Sequence, residues 1–186
     1  MNLREQISHY IPYTTQEAKE QEVILQYMDT FDNLLIRENE FAHFTASAWI
    51  VNSERTKVLM AYHNIYQSWS WIGGHADGNA NLLEVALKET TEETGLLHIS
   101  PLANTIYSLE ILGVPSHMKK GFPIATHLHL NVTYLIEANE NEQTRVNQDE
   151  NSAIKWMKLE EAVEACTEPE MKIVYEKLNK KLKNYK

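Results

Sequence analysis

The sequence predicts an α+β domain, a mixed sheet packed between helices. Stretches rich in β formers alternate along the chain with segments of helical periodicity. A length of 186 residues is enough for one hydrophobic core and short for two. A hydrophobic content of 43% with mixed charges is that of a soluble globular protein.

Val23, Ile24, Tyr27, Met28, Phe31, Leu34 and Leu35 recur at helical spacing and predict a helix over 16–35, capped by Thr14 or Thr15. This gives a helical extension over 1–40, packed on a domain over 41–186. Strands follow over 41–52 and 57–62, joined by a turn at 52–55, and a further short strand is expected over 68–72. A glycine-rich loop then leads into a helix over 82–94. Strands over 105–114 and 127–138 flank a loop over 115–126. A polar connection over 139–148 leads to a short strand at 153–157. Helices over 159–165 and 168–182 close the chain, the last ending in lysines that suit a helix C-terminus.

The formal net charge of −9 argues against nonspecific nucleic-acid binding, which needs a basic surface to displace counterions. It does not exclude a small phosphorylated substrate, because divalent cations can sit between two negative partners. No apolar run reaches the ~20 residues that span a bilayer. The opening residues MNLREQISHYIPY lack the apolar core of a signal peptide. Cys166 is the only cysteine, so an internal disulfide is ruled out and a reducing cytoplasm fits. It reads as a small packed side chain. The expectation is a cytoplasmic protein off the membrane, without a stable nucleic-acid partner; a homodimer is left open.

The segment WIGGHADGNANLLEVALKETTEETGL carries the chemistry. Asn81 suits an N-cap, and Glu84 falls three residues later as in a capping box. Gly95 sits where a left-handed C-terminal residue belongs. At ~100° per residue, Leu82, Val85, Ala86, Glu89, Glu92 and Glu93 share one arc. Glu89, Glu92 and Glu93 have i, i+3, i+4 spacing, so their side chains converge. Converging like charges repel and lose hydration, and a hard cation such as Mg²⁺ or Mn²⁺ offsets both costs. The plainer alternative is a solvated acidic face, with Lys88 pairing with Glu84 and Glu92.

These residues resemble the box of the MutT/Nudix hydrolases, G-x5-E-x7-R-E-U-x-E-E-x-G-U, where U is aliphatic. Gly74 takes its first position, Lys88-Glu89 the Arg-Glu position, and Glu92-Glu93-Thr94-Gly95-Leu96 its end. Ala80, Lys88 and Thr90 depart from the pattern; Asp77 or Glu84 would have to compensate for the acid missing at Ala80. The resemblance implies a Nudix-type α/β/α sandwich. It also implies that Glu89, Glu92, Glu93 and the carbonyl of Gly73 hold Mg²⁺ or Mn²⁺, and that water attacks a diphosphate linkage, the glutamates accepting its proton. Members often add an acid just before a late Trp-containing strand, which nominates Glu150, with Asp149 in reserve, as ligand or base; the alternative is a polar loop acid.

His127, His129, Asn131 and Thr133 alternate with apolar residues, so they share one strand face. That face either lines a substrate cavity or meets solvent. Two histidines at i, i+2 also suit zinc, but no third histidine or cysteine is signalled. His75, beside the Gly-Gly loop, is placed to touch a phosphate or to stand in a surface turn. Tyr66, Trp69 and Trp71 either stack on a nucleobase or pack in the core. Lys119 and Lys120 either reach a phosphate tail or are solvated. The partner implied is a small phosphorylated compound, a nucleotide derivative, cleaved by hydrolysis. The competing readings are a Nudix-fold binding module without turnover and, less compatible with the position of Cys166, an isopentenyl-diphosphate isomerase.

Overall fold

The computed structural model describes residues 1–119 and 121–185, the side chain of Lys119 apart. The reading of Lys119 and Lys120 lies outside the described residues. In chain order the elements are α1 (Leu3–His9), α2 (Thr15–Thr30), β1 (Ala42–Val51), β2 (Lys57–His63), β3 (Ser68–Ser70), β4 (Ile72–His75) and α3 (Leu82–Thr94). Then come β5 (Ile99–Pro101), β6 (Ser108–Val114), β7 (His117–Lys119), β8 (Phe122–Ile124), β9 (His127–Ala138), β10 (Asn151–Lys158), α4 (Leu159–Ala165) and α5 (Pro169–Lys183).

The sheet runs β10-β2-β1-β9-β5, with β3 on β2, β4 on β1 and β6 on β9. It is mixed because β1 and β9 pair in parallel from Ala42↔Leu128 to Val51↔Glu137, while β4 and β6 pair antiparallel with them. Every residue of β1 is buried, so both faces of the sheet are covered. On one face Phe44, Ala46, Ala48 and Ile50 join Leu82, Val85 and Ala86 of α3 and Leu3, Ile7 and Ile24 of α1 and α2. On the other, Trp49 and Val51 meet Ala162 of α4 and Tyr175, Leu178 and Leu182 of α5. Helix, sheet and helix stack as three layers, the α/β/α architecture expected.

Several boundaries differ from the sequence reading. The helix expected over 16–35 stops at Thr30, with Phe31 in extended backbone. The Leu34 carbonyl instead accepts the Phe44 N–H at 2.7 Å, and Asn39 Oδ1 caps the N–H groups of Phe41 and Ala42. The strand expected over 68–72 divides, because the Trp71 N–H turns to the Tyr175 hydroxyl at 3.1 Å and leaves the ladder. The strand expected from 105 begins at Ser108. The loop over 115–126 contains the β7–β8 hairpin, which the proline and glycine of its sequence conceal.

Glu17 ties the N-terminal helices to the rest. Its buried carboxylate accepts from Ser108 Oγ and Tyr13 N, both at 2.6 Å, and pairs with Lys177 Nζ at 2.9 Å. Lys177 also pairs with Glu110 at 3.0 Å. Among the described residues, no helix is long and apolar enough to cross a membrane.

Candidate functional site

α3 is specified at both ends. The Asn81 side chain accepts the Glu84 N–H, and Gly95 adopts φ 74°. The Glu84 carboxylate takes the Asn79 amide at 3.4 Å, in place of the reciprocal capping-box bond expected of it. The buried arc is Leu82, Val85, Ala86, Thr90, Glu93 and Thr94, turned from the expected one. Thr90 and Thr94 can be buried because their hydroxyls bond to the carbonyls of Ala86 and Thr90. The same rotation carries Glu92 out to the rim. There it is exposed and pairs with exposed Lys88 at 3.6 Å.

Glu93 points inward and is 5% exposed. Its Oε1 accepts the Gly73 N–H at 3.3 Å, and its Oε2 accepts the Asn151 amide at 2.7 Å. Burial pushes its pKa up to about 8, the Asn151 hydrogen bond opposing, and the charges of Glu150 and Glu89 push it further. Glu89 is also raised, by burial first and then by Glu92, Glu150 and Asp77 against the pull of Lys88. Its carboxylate lies so close to β4 that a Cβ on Gly74 would fall 2.4 Å from Cδ. On Gly73 a Cβ would meet the Ala46 carbonyl at 2.6 Å. The Gly-Gly pair is therefore a steric requirement of two close approaches.

Glu150 arrives from a loop hooked on the end of α3. Arg145 N donates to the Thr94 carbonyl at 2.7 Å and Asn147 N to the Glu93 carbonyl at 3.3 Å. Asn151, next along, then binds the Glu93 side chain. Across the mouth, Arg37 grips Asp77 through two bonds of 2.7 and 2.5 Å. Neither Asn151 nor the Arg37–Asp77 pair is signalled by the sequence, since an asparagine at a strand start and an arginine in a polar loop are commonplace there. The buried Glu93 and half-buried Glu89 carboxylates, with Glu150 acting on both, are mutually repulsive oxygen donors that suit a hard divalent cation.

On the opposite face, alternation along β9 holds, but Asn131 and Thr133 line neither a cavity nor solvent. Both are buried. Asn131 accepts from Thr45 at 3.0 Å and Ser47 at 2.8 Å, and Asn131 and Thr133 donate to Glu110 at 2.9 and 3.0 Å. His127 and His129 lie at the open end of this polar layer, beside His75 and His43. Trp71 packs edge-on to Tyr175 and Trp69 to Tyr62 on the α5 side, the core alternative of the sequence reading. Cys166 is buried under α4 and α5, as a packed side chain.

A family model described as the NUDIX domain matches residues 42–178. The m7GpppN-mRNA hydrolase NUDT17 of Xenopus laevis is 31% identical over 117 residues, 60% of this chain and 37% of that protein. The chain thus spans little over a third of that relative's length. Among solved structures, a C. elegans Ap4A hydrolase binary complex superposes with a TM-score of 0.57 at 20% identity, covering 76% of this chain and 98% of that one. The E. coli dihydroneopterin triphosphate pyrophosphohydrolase gives 0.56 at 14% identity over 76% and 96%. The NUDIX domain of Shewanella oneidensis NrtR, complexed with ADP ribose, gives 0.55 at 16% identity over 84% and 97%.

Proposed function

The chain belongs to the Nudix family, and from that premise we propose that it hydrolyses a diphosphate linkage in a nucleoside diphosphate joined to a second group. The observation that carries the reading is Glu93, a buried carboxylate facing Glu89 and Glu150 with only neutral N–H donors on its oxygens. Such a group fits a divalent cation, Mg²⁺ or Mn²⁺, with Glu89, Glu93, the Gly73 carbonyl and, from the rim, Glu92 as its holders. When bound, the cation supplies charge neutralisation of the diphosphate and acidification of the attacking water. The chain's own groups do the rest. Asn151 and the Gly73 N–H fix the Glu93 carboxylate, and Gly74 leaves room for Glu89. Glu150, exposed on its loop, accepts the proton from water. His75, His127 and His129 are the proposed contacts for the group beyond the diphosphate. That relatives include proteins named for capped mRNA and Ap4A supports a nucleotide derivative as substrate.

The test is a panel of nucleoside triphosphates, nucleotide sugars, ADP-ribose and dinucleoside polyphosphates with Mg²⁺ or Mn²⁺, run on wild type and Glu93→Gln. Turnover of one class by wild type, reduced on the order of 10³-fold or more in the variant, is expected. Undiminished turnover by Glu93→Gln would remove that residue from the mechanism. No turnover by wild type would favour a binding module, a reading favoured by Ala80 and by Lys88 being spent on an exposed pair with Glu92.

A further inference from the structure

Three neighbouring strands each contribute one histidine to a single point. His43 of β1 stands directly across from His129 of β9 in the parallel ladder, and His75 of β4 pairs with Thr45, two residues along β1. Ring centroids lie 5.1 Å apart for His43–His75 and His43–His129, and 4.9 Å for His75–His129. One ligand nitrogen from each of the three lies within 4.8 Å of the others. A fourth ring, His127, stacks on His43 at 4.9 Å and touches His129, Nε2 to Nε2, at 3.2 Å.

We propose that His43, His75 and His129 form a binding site for a transition-metal ion of imidazole preference, Zn²⁺ being the reference ion, separate from the carboxylates that hold the hard cation. Among the described residues the convergent ligand atoms are all imidazole nitrogens, with the Asp77 charge acting on His43 from outside the group. His43 makes the case concrete. Its Nδ1 lies 3.1 Å from the Asn39 carbonyl, so that nitrogen carries the proton and Nε2 is a lone pair. Nε2 is buried without a hydrogen-bond partner, on a residue 5% exposed. A backbone carbonyl on one nitrogen and a bare lone pair on the other is how metal-binding histidines are oriented.

His127 is set the same way, with Nδ1 2.8 Å from the Ala125 carbonyl, so its Nε2 also offers a lone pair toward His129. Burial favours the neutral imidazole at His43 and His129. Burial lowers the pKa of His43, and burial with His75, His43 and His127 drives that of His129 to about 2. Neutral imidazole is the form a metal takes.

The geometry needs little movement. A tetrahedral ion with Zn–N bonds of ~2.0–2.1 Å holds its nitrogens about 3.4 Å apart. The three ligand nitrogens already lie within 4.8 Å of one another, so the contraction required is on the order of an ångström. Selectivity follows from donor type, since imidazole favours Zn²⁺ and oxygen ligands favour Mg²⁺. The two sites are also on different sides of β4. Gly74 faces Glu89, and His75, the next residue, faces the other way. The site is independent of the hydrolase reading.

The experiment is equilibrium dialysis of untagged protein against Zn²⁺ with excess Mg²⁺, followed by metal analysis, and a Co²⁺ titration read by visible d–d absorption. Wild type is expected to bind one equivalent, and Co²⁺ to give the intense bands of a low-coordinate nitrogen site. His129→Gln and His75→Gln, and His43→Gln if its circular dichroism shows it folded, are expected to weaken binding on the order of 100-fold. Glu89→Gln and Glu93→Gln are expected to retain it. Stoichiometric Zn²⁺ binding that survives all the histidine substitutions, or that is lost in Glu93→Gln, would overturn the proposal. So would absence of Zn²⁺ from wild type under excess Mg²⁺. None of these readouts uses turnover, so loss of the hydrolase reading leaves the result intact.

Discussion

At the scale of single residues, the adjacent glycines of β4 separate stability from function. A methyl at Gly73 would press on the Ala46 carbonyl, which belongs to the central strand and cannot give way. A methyl at Gly74 would press on Cγ, Cδ and Oε1 of Glu89, a side chain that can swing aside. Gly73→Ala is therefore expected to lower the melting temperature clearly, by several degrees for a loss of about 1–3 kcal/mol. Gly74→Ala is expected to keep a near-wild-type melting temperature and lose on the order of 100-fold in kcat/KM, because Glu89 is displaced by about an ångström. Equal loss of stability in both variants would contradict this division. Asn151 is the companion case on the other side of Glu93. Asn151→Ala removes the 2.7 Å bond to Oε2, and the Mg²⁺ concentration for half-maximal activity is expected to rise 10- to 100-fold (order of magnitude). An unchanged Mg²⁺ dependence would show that Gly73 N–H alone positions the carboxylate. The glutamates were legible in sequence because their helical spacing is a periodic signal. Asn151 was not, because its partner is 58 residues away and only the hooked loop brings them together.

At the scale of elements, legibility followed local determinacy. α3 was readable to the residue because a cap at Asn81 and a left-handed Gly95 mark both ends within the sequence itself. β9, over 127–138, was equally plain from its alternation. What failed to read was decided elsewhere in the chain. α2 ends early because Leu34 is recruited by Phe44, and the strand over 68–72 breaks because Trp71 is recruited by Tyr175. The inward arc of α3 is turned from the one its periodicity predicts, because the back-bonded hydroxyls of Thr90 and Thr94 let both residues enter the core. Gly95 links this helix to the acid of the following loop. It needs a positive φ, and a Cβ there would stand 3.1 Å from Arg145 Cβ. Gly95→Ala is expected to cost about 1–2 kcal/mol in urea denaturation and to speed proteolysis within 139–150, since the loop bearing Glu150 hangs on this end of α3. A destabilised variant with an unaltered cleavage pattern would mean that the loop is held independently.

At the scale of the whole molecule, one buried charge network joins the N-terminal helices to the sheet and to the last helix. Glu17 of α2 and Glu110 of β6 share Lys177 of α5, and Glu110 continues through Asn131 to Thr45 and Ser47 of β1. Burial raises the Glu17 pKa, but Lys177, the Ser108 hydroxyl, Lys181 and the Tyr13 N–H outweigh it and bring the group down to about 2, against 4.5 in an unstructured chain. A folded pKa below the unfolded one contributes stability that is present above about 4.5 and is lost as pH falls toward 2. The fall from 4.5 to about 2 corresponds to roughly 3 kcal/mol. Glu17→Gln leaves Lys177 with Glu110 alone, so the variant is expected to be destabilised by a few kcal/mol at pH 7. Its disadvantage should shrink steadily below pH 4.5, because wild type then protonates the same carboxylate while the variant has nothing to titrate there. Urea denaturation of both proteins at several pH values between 2.5 and 7 measures this. Two parallel stability curves across that range would mean that the Glu17–Lys177 pair contributes no net electrostatic stabilisation, and that α1 and α2 are held to the sheet by apolar packing around Leu3, Ile7 and Ile24 and by the bonds of Tyr10.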